Sequence, residues 1–194
     1  MSNSSFLSFG RRAQAALLAT GSAAAALMLS AGYVNATSSN WAHDDEAEIA
    51  KLPLCYARAT DAIGRGQLAQ GKAIYATCFT PNAALAVYNP GTPFNGPPTF
   101  STVGTNDWAD FAKATFDASG YVATQHLNGN IEVRVVNNNY ATVSTYLHAT
   151  HVLPDGTIDV ANGTYEDEVI RVNGTWKIRK RTLKIIDFPH LGDP

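Results

Sequence analysis

The chain has 194 residues, a formal net charge of −2 and 45% hydrophobic residues. Nucleic-acid-binding domains are usually basic with a clustered stripe of lysine and arginine, so this mildly acidic chain is not expected to bind nucleic acid. Its two cysteines do not have the spacing of a zinc finger, and it contains no P-loop and no nucleophile elbow. These observations indicate a small globular protein outside the nucleic-acid-binding and nucleotide-binding classes.

The first 36 residues have the pattern of an export signal. Arg11-Arg12 precedes an alanine-rich apolar run, and Val34-Asn35-Ala36 puts small residues where a signal peptidase cleaves. We expect cleavage near Ala36 and a periplasmic or secreted protein with no membrane segment in its mature form. An uncleaved anchor is the alternative, and the arginine pair leaves ordinary and twin-arginine export open. Because residues 1–36 hold two arginines and no acid, the mature domain, residues 37–194, has a net charge of −4.

Helical spacing from Trp41 to Thr80 predicts two helices. The acidic residues after His43 suit a helix start, because the helix macrodipole favours negative charge there. Pro53 should bend the first helix or open its second part. The apolar face of that helix consists of Ile49, Leu52, Tyr56 and Ile63. Cys55 and Cys78 fall in the two helices, and either a disulfide or two buried thiols would fit an exported chain.

The middle of the chain predicts a strand, an irregular segment and a third helix. The strand covers residues 83–88, after Pro81-Asn82 has ended the second helix. Residues 89–106 are rich in proline and glycine, which argues against regular structure and is typical of a lid or a pocket rim. Asn106-Asp107 is expected to cap a helix at residues 108–119.

From Tyr121 onward the sequence predicts an antiparallel meander. Asparagine-rich and glycine-containing turns separate runs rich in valine, isoleucine, threonine and tyrosine. The four strands are expected at about residues 122–136, 140–153, 158–172 and 175–187. Asn128-Gly129 predicts a bulge that bends the first of them. Helices followed by such a sheet indicate the α+β class.

Two charged groups in the last strands are interpreted as solvent-facing. The basic group alternates with apolar residues, as on the polar face of a strand, and consists of Lys177, Arg179, Lys180, Arg181 and Lys184. The acidic group is Glu166, Asp167 and Glu168. Alternation puts Asp167 on the face of Tyr165 and leaves open which face is inward, but a solvated edge is expected.

Three of the five histidines lie between residues 124 and 151, on two neighbouring predicted strands. Imidazole can take and release protons near neutral pH, so two facing histidines could form an acid/base pair. Alternation places His151 on the apolar face with Val143 and Leu147, whereas His148 falls on the outer face, where it could meet another subunit. Because His148 and His151 point to opposite faces, convergent metal ligation is not expected.

The order of elements resembles the cone-shaped NTF2-like superfamily, and within it the SnoaL-like and scytalone dehydratase branch. The resemblance covers nearly all of residues 37–194. The motifs that carry it are Tyr56-Ala57-Arg58-Ala59-Thr60-Asp61, Cys78-Phe79-Thr80-Pro81-Asn82-Ala83, Thr124-Gln125-His126 and Val172-Asn173-Gly174-Thr175-Trp176-Lys177-Ile178. His126 and His151, 25 residues apart, are similar to the catalytic histidine pair of scytalone dehydratase.

This resemblance implies a curved mixed or antiparallel sheet and three amino-terminal helices around a pocket. It implies that His126 and His151 are catalytic and that Asp61 orients one of them. The candidate substrate contacts are Tyr56, Tyr88, Tyr165 and His148. Tyr88 matches a tyrosine that polarises the substrate through water, whereas Tyr165 stands where the family has an asparagine that Asn162 could replace only with a shift. Thr60 replaces another family tyrosine, which argues against the same substrate.

The function implied is that of a lyase without metal or cofactor, acting on a small phenolic or polyketide-like molecule. The reaction would be a dehydration, or a quinone-methide-type dehydration or deformylation of a lignin-derived aromatic compound. The resemblance also implies a homo-oligomer, either a dimer or a trimer. A non-catalytic ligand-binding module is the alternative of a different class, and an isomerase, which in this fold uses a carboxylate base, is a further one.

Overall fold

The structure is a computed structural model, and it describes residues 44–192. The predicted signal peptide and its cleavage site lie outside the described residues. Within residues 44–192, four helices pack on one face of the sheet and at its end. They are α1 (residues 44–49), α2 (Leu52–Gly64), α3 (Leu68–Cys78) and α4 (Thr105–Ser119). Among the described residues no helix is long and apolar enough to cross a membrane.

The first predicted helix is divided in two, as Pro53 indicated. Ala50 and Lys51 form a turn after α1, and Pro53 lies in the first turn of α2, where its missing N–H removes no hydrogen bond. Asp45 in α1 also has a tertiary role, because it accepts hydrogen bonds from Arg171 (2.5 Å) and from the Trp176 indole N–H (3.1 Å). The predicted apolar residues of both helices are buried in the core.

The described part of the chain holds seven strands, which form one curved, mixed sheet in the order β2-β1-β6-β5-β4-β3, with β7 paired to β5. Their bounds are β1 (Phe79–Tyr88), β2 (Phe100–Val103), β3 (Ala123–Asn137), β4 (Tyr140–Val152), β5 (Ile158–Val172), β6 (Thr175–Asp187) and β7 (His190–Leu191). The meander from β3 to β6 is antiparallel, whereas β1 runs parallel to β6. The predicted α+β cone is confirmed.

Three local predictions for the middle of the chain were wrong. The second helix already ends at Cys78 and β1 begins at Phe79, so Pro81-Asn82 lies within the strand and does not end the helix. The proline- and glycine-rich segment includes a regular strand, β2, because its last part pairs antiparallel with β1. The helix α4 begins at Thr105 rather than Trp108, and its N-cap is Gly104 rather than a residue with a capping side chain. Gly104 has a φ of 99°, a conformation that favours glycine.

The predicted bend in β3 is confirmed. The pairing with β4 shifts between Gly129 and Glu132, so that β3 holds one more residue than its partner. Asn130, in this interval, has a positive φ of 48°. The extra residue increases the local twist and curves the sheet around the helices.

The two charged groups of the last strands are not wholly solvent-facing, which corrects the prediction. The β5–β6 pairing shifts between Glu168 and Val169, and Arg179 in β6 is the extra residue. This bulge reverses the alternation, so that Arg181 turns inward together with Asp167. The two side chains pair within the core. Arg181 Nε lies 2.7 Å from Asp167 Oδ1, and Arg181 Nη2 lies 2.5 Å from Asp167 Oδ2.

The two cysteines form a disulfide in the structure, which decides between the alternatives left open by the sequence. Cys55 lies on α2 and Cys78 ends α3, and the two cysteines are 23 residues apart in the sequence. The disulfide therefore joins α2 to α3 covalently.

Candidate active site

A cavity of about 390 Å3 lies between α2, α4 and the concave face of the sheet. This volume is in the lower part of the range for small-molecule sites. Its walls are mostly apolar and include Val87, Phe111, Phe116, Leu147, Leu183 and Ile185. Asn89 and Pro90, at the start of the predicted rim segment, also line it. His126 and His151 contribute imidazoles to its wall.

The close approach of α2 to β3 brings Asp61 to His126. At Gly64, in the last turn of α2, a Cβ atom would lie 2.2 Å from the Thr124 hydroxyl oxygen, so only glycine fits without a shift. Thr124 itself donates a hydrogen bond to Asp61 Oδ1 (3.2 Å). The backbone N–H of His126 donates to Asp61 Oδ2 (3.2 Å). The carboxylate is thereby held against β3.

Asp61 also fixes the His126 ring, since His126 Nδ1 lies 2.7 Å from Asp61 Oδ1. An ionised carboxylate can only accept, so Nδ1 carries the hydrogen. In the neutral imidazole the lone pair is then on Nε2. When Nε2 is protonated, the imidazolium forms an ion pair with Asp61 in a nearly enclosed position, where the His126 side chain is 6% exposed.

His151 lies on β4 in a more apolar environment. Burial, with a further contribution from His126, lowers its pKa from 6.5 to about 4. Its Nδ1 is 3.3 Å from the carbonyl oxygen of Asp159. A carbonyl can only accept, so this contact keeps the hydrogen on Nδ1 and the lone pair on Nε2. At neutral pH His151 is therefore an uncharged proton acceptor.

The two histidines face each other across neighbouring strands. His126 pairs with Ala149 and His151 with Thr124, which makes the histidines diagonal neighbours on the concave face. Their ring centroids are 5.8 Å apart and the ring planes are nearly perpendicular at 80°. One has a carboxylate partner that stabilises its charged form, and the other is desolvated. The two rings therefore have different environments although both line the same cavity.

Two of the predicted substrate contacts, Tyr56 and Tyr165, line the cavity. The Arg181 guanidinium lies over both rings, at 4.1 Å from the Tyr56 centroid and 4.4 Å from that of Tyr165. Tyr56 in turn packs edge-on against His126 at 6.3 Å. The buried pair of Arg181 and Asp167 therefore supports the aromatic wall beside the histidines.

The other two predicted substrate contacts, Tyr88 and His148, do not line the cavity. In β1 the residue that lines it is Val87, so alternation turns Tyr88 to the opposite face, where its hydroxyl donates to the Gly96 carbonyl (3.1 Å). His148 is exposed on the convex face and bonds Asn162 (2.8 Å). Asn162 lies there too, so it does not replace the family's pocket asparagine.

The residues that surround His151 were not predicted from the sequence as site residues. Its ring contacts Tyr121 at 4.9 Å, Phe188 at 5.5 Å and Phe116 at 5.7 Å between centroids. Phe116 falls on the inward face of its predicted helix, but Tyr121 and Phe188 lie in connecting segments, where no periodicity predicts a direction. Asp159 also had no distinguishing pattern. Among residues 44–192 no group of three or more His, Cys, Asp or Glu side chains is arranged to hold a metal ion.

The SnoaL-like domain model matches residues 41–182, so the chain belongs to the SnoaL-like domain family. The resemblance to the SnoaL-like branch of the NTF2-like superfamily is thereby confirmed. No curated protein matches the chain.

Several solved structures share the fold. A provisionally assigned scytalone dehydratase from Novosphingobium aromaticivorans is 21% identical, with 81% of this chain and 93% of that chain covered and a TM-score of 0.56. Hexachlorocyclohexane dehydrochlorinase LinA-type3 from Novosphingobium barchaimii is 15% identical, with 78% and 92% covered and a TM-score of 0.59.

The β subunit of a provisionally assigned aromatic-ring-hydroxylating dioxygenase from Novosphingobium aromaticivorans is 18% identical, with 75% of this chain and 92% of that chain covered and a TM-score of 0.59. At such low identities these likenesses establish the fold, and the activities in the names belong to those proteins.

Proposed function

We propose that the protein is a lyase that needs no cofactor and eliminates water from a small oxygenated aromatic or polyketide-like molecule. The observation that carries this proposal is the arrangement of Asp61, His126 and His151. A carboxylate is bonded to one imidazole at 2.7 Å, and that imidazole faces a second, uncharged one inside a mainly apolar cavity. General acid and base catalysis requires such a pair on either side of a reacting group.

In the proposed elimination, His151 is the general base and His126 is the general acid. His151 Nε2 takes a proton from a substrate carbon, and the electrons of that bond form the new double bond. The neighbouring carbon–oxygen bond breaks, and the hydroxyl group leaves with the Nε2 proton of His126 as water. Asp61 stabilises His126 in the protonated form that this step needs. His151 then releases its proton to solvent and His126 takes one up, which restores both residues.

The environment of His151 also restricts the substrate. A base with a pKa of about 4 removes a carbon-bound proton only when the substrate makes that proton acidic. A carbonyl group next to the carbon does so, and so does a phenol ring that can pass through a quinone methide. The aromatic walls of the cavity suit molecules of either type. A lignin-derived diaryl compound with such a phenol ring could lose formaldehyde in a variant of this reaction.

A substrate screen tests the proposal. Hydroxy ketones, phenolic diols and diaryl propanes would be incubated with the protein, and new conjugated absorbance would be followed over pH. Turnover should fall by about two to four orders of magnitude in His151→Gln and in His126→Gln. The matched control is His148→Gln, on the convex face, which should retain the wild-type rate. An equal loss in all three variants would contradict the assignment.

A non-catalytic ligand-binding module is the rival function, because one fold can carry either catalytic or binding sites. The two functions are distinguished by following both turnover and probe binding over pH. An enzyme gives a rate that falls below a pH of about 4, where His151 becomes protonated. Saturable binding of the aromatic probes without any turnover across that range would favour the module.

A further inference from the structure

Asp159, at the start of β5, connects three segments around His151. Its carboxylate accepts a hydrogen bond from the Tyr121 hydroxyl (2.6 Å to Oδ2) and another from His190 Nδ1 (2.7 Å to Oδ1). Its backbone carbonyl lies 3.3 Å from His151 Nδ1. Tyr121 follows α4, His190 belongs to β7 and His151 to β4, so one residue holds three separate parts of the chain.

The segments that Asp159 holds also cover His151. Tyr121 and Phe188 both line the cavity, and their ring centroids are 4.9 Å and 5.5 Å from that of His151. Both residues lie outside helices and strands, so regular backbone pairing does not fix their side chains. The Asp159 carboxylate bonds Tyr121 directly and bonds His190, two residues after Phe188.

We propose that Asp159 is a positioning residue for His151. By joining Tyr121 to the segment of residues 188–191, its carboxylate keeps the imidazole covered and its Nδ1 directed at the Asp159 carbonyl. This inference rests on the proposed role of His151 as the base of the site. Asp159 itself does not line the cavity, so it acts through the residues that do.

Removing the carboxylate has two opposite effects on the pKa of His151. Burial is the largest cause of its lowered pKa, so an opened cover would raise the pKa towards 6.5. The negative charges of Asp159 and Asp61 act the other way, and the charge of His126 lowers the pKa. Tyr121, which stays uncharged at neutral pH, and His190, which faces Asp159, complete the titratable groups here. Loss of the Asp159 charge alone would therefore lower the pKa further.

The sign of the change tests the proposal. The His151 ring would be titrated by NMR in the whole protein, in wild type and in Asp159→Asn. We expect the midpoint to rise by about one pH unit, because desolvation is the larger influence. Tyr121→Phe keeps the ring but loses the bond to Asp159, and it should give a smaller rise. The control Asp110→Asn removes an exposed carboxylate on α4 and should change nothing. A fall in the midpoint, or no change, would overturn the proposal.

Phe188→Ala provides a second route if Asp159→Asn does not fold. It removes part of the cover and leaves the carboxylate, so the midpoint should also rise. Where a substrate is turned over, kcat of Asp159→Asn should fall by roughly tenfold to a hundredfold through misplacement of the base. A wild-type protein without turnover would contradict the proposed function, yet the titration would still decide the role of Asp159. Normal kcat with an unshifted midpoint would contradict the positioning role alone.

Discussion

At the scale of single residues, the carboxylate of Asp61 is the group on which the proposed acid depends. It accepts three hydrogen bonds, from His126 Nδ1, the His126 backbone and Thr124, so β3 fixes its position. A buried charge without partners would be strongly unfavourable. Here the partners are the same groups that orient the histidine.

We expect Asp61→Asn to lower turnover by on the order of 100-fold or more, because the amide cannot stabilise an imidazolium. The corresponding change in the serine protease triad has a larger effect, about four orders of magnitude. The chain should still fold, since an amide oxygen can accept from His126 Nδ1. Steady-state kinetics would measure the loss, with Asp110→Asn as the control. Wild-type turnover in Asp61→Asn would leave Asp61 with a structural role only.

His151 should also make the stability of the fold depend on pH. Its pKa is about 4 in the folded protein and 6.5 as its ordinary value, so the unfolded chain binds more protons between these limits. The contribution is therefore complete above pH 6.5 and is lost as the pH falls towards 4, by about 3 kcal/mol in total. Urea unfolding across this range would measure it. His151→Asn should show a smaller fall than wild type, and parallel curves would contradict this account.

At the scale of elements, the contact between α2 and β3 sets the distance from Asp61 to His126. Because Gly64 leaves no room for a Cβ beside Thr124, Gly64→Ala must shift the helix, the strand or the threonine. We expect a loss of about 1–3 kcal/mol of stability, together with lower turnover, because the carboxylate moves with the helix. Chemical unfolding and kinetics would be compared with Gly96→Ala, where a Cβ meets only the Pro93 carbonyl at 3.4 Å. Equal behaviour of the two variants would contradict the close-contact argument.

The disulfide joins α2 to α3 and should stabilise the helical layer. For a sequence separation of 23 residues, the loss of chain entropy in the unfolded state corresponds to about 3 kcal/mol. Replacing both Cys55 and Cys78 by alanine should therefore lower the free energy of unfolding by about this amount. A reducing agent should have the same effect on the wild-type chain and none on the variant. If reduction left wild-type stability unchanged, the bond would not contribute.

At the scale of the whole molecule, the convex face of the sheet exposes large apolar side chains. Leu127, Tyr146 and Ile186 lie around one shallow groove there and are 59%, 58% and 65% exposed. We propose that the protein forms a dimer or trimer through this face. Sedimentation equilibrium should give a multiple of the mass of one chain, and Ile186→Lys should shift the measured mass towards that of one chain. A wild-type protein that stays monomeric at high concentration would contradict the proposal.

The sequence by itself determined the class of the fold and the face of each histidine on β4. Period-two alternation from residue 140 to 151 predicted that His151 is inward and His148 outward, because neighbouring side chains of a strand point to opposite sides. The resemblance to the scytalone dehydratase branch, carried by the motif ending at Asp61 and by the spacing of His126 and His151, then indicated the three groups that the structure brings together. The alternation is a local pattern, whereas the choice of these three groups rests on the resemblance.

Only the tertiary structure decided where the alternation breaks and what surrounds the base. The bulge at Arg179 turns Arg181 into the core beside Asp167, and no residue type marks such an insertion. Tyr88 was misplaced because strand alternation turns Val87, and not Tyr88, towards the cavity. Tyr121 and Phe188 reach His151 from connecting segments, and the lowered pKa of His151 follows from their packing. Burial and protonation depend on contacts between distant parts of the chain, which no local pattern of residues contains.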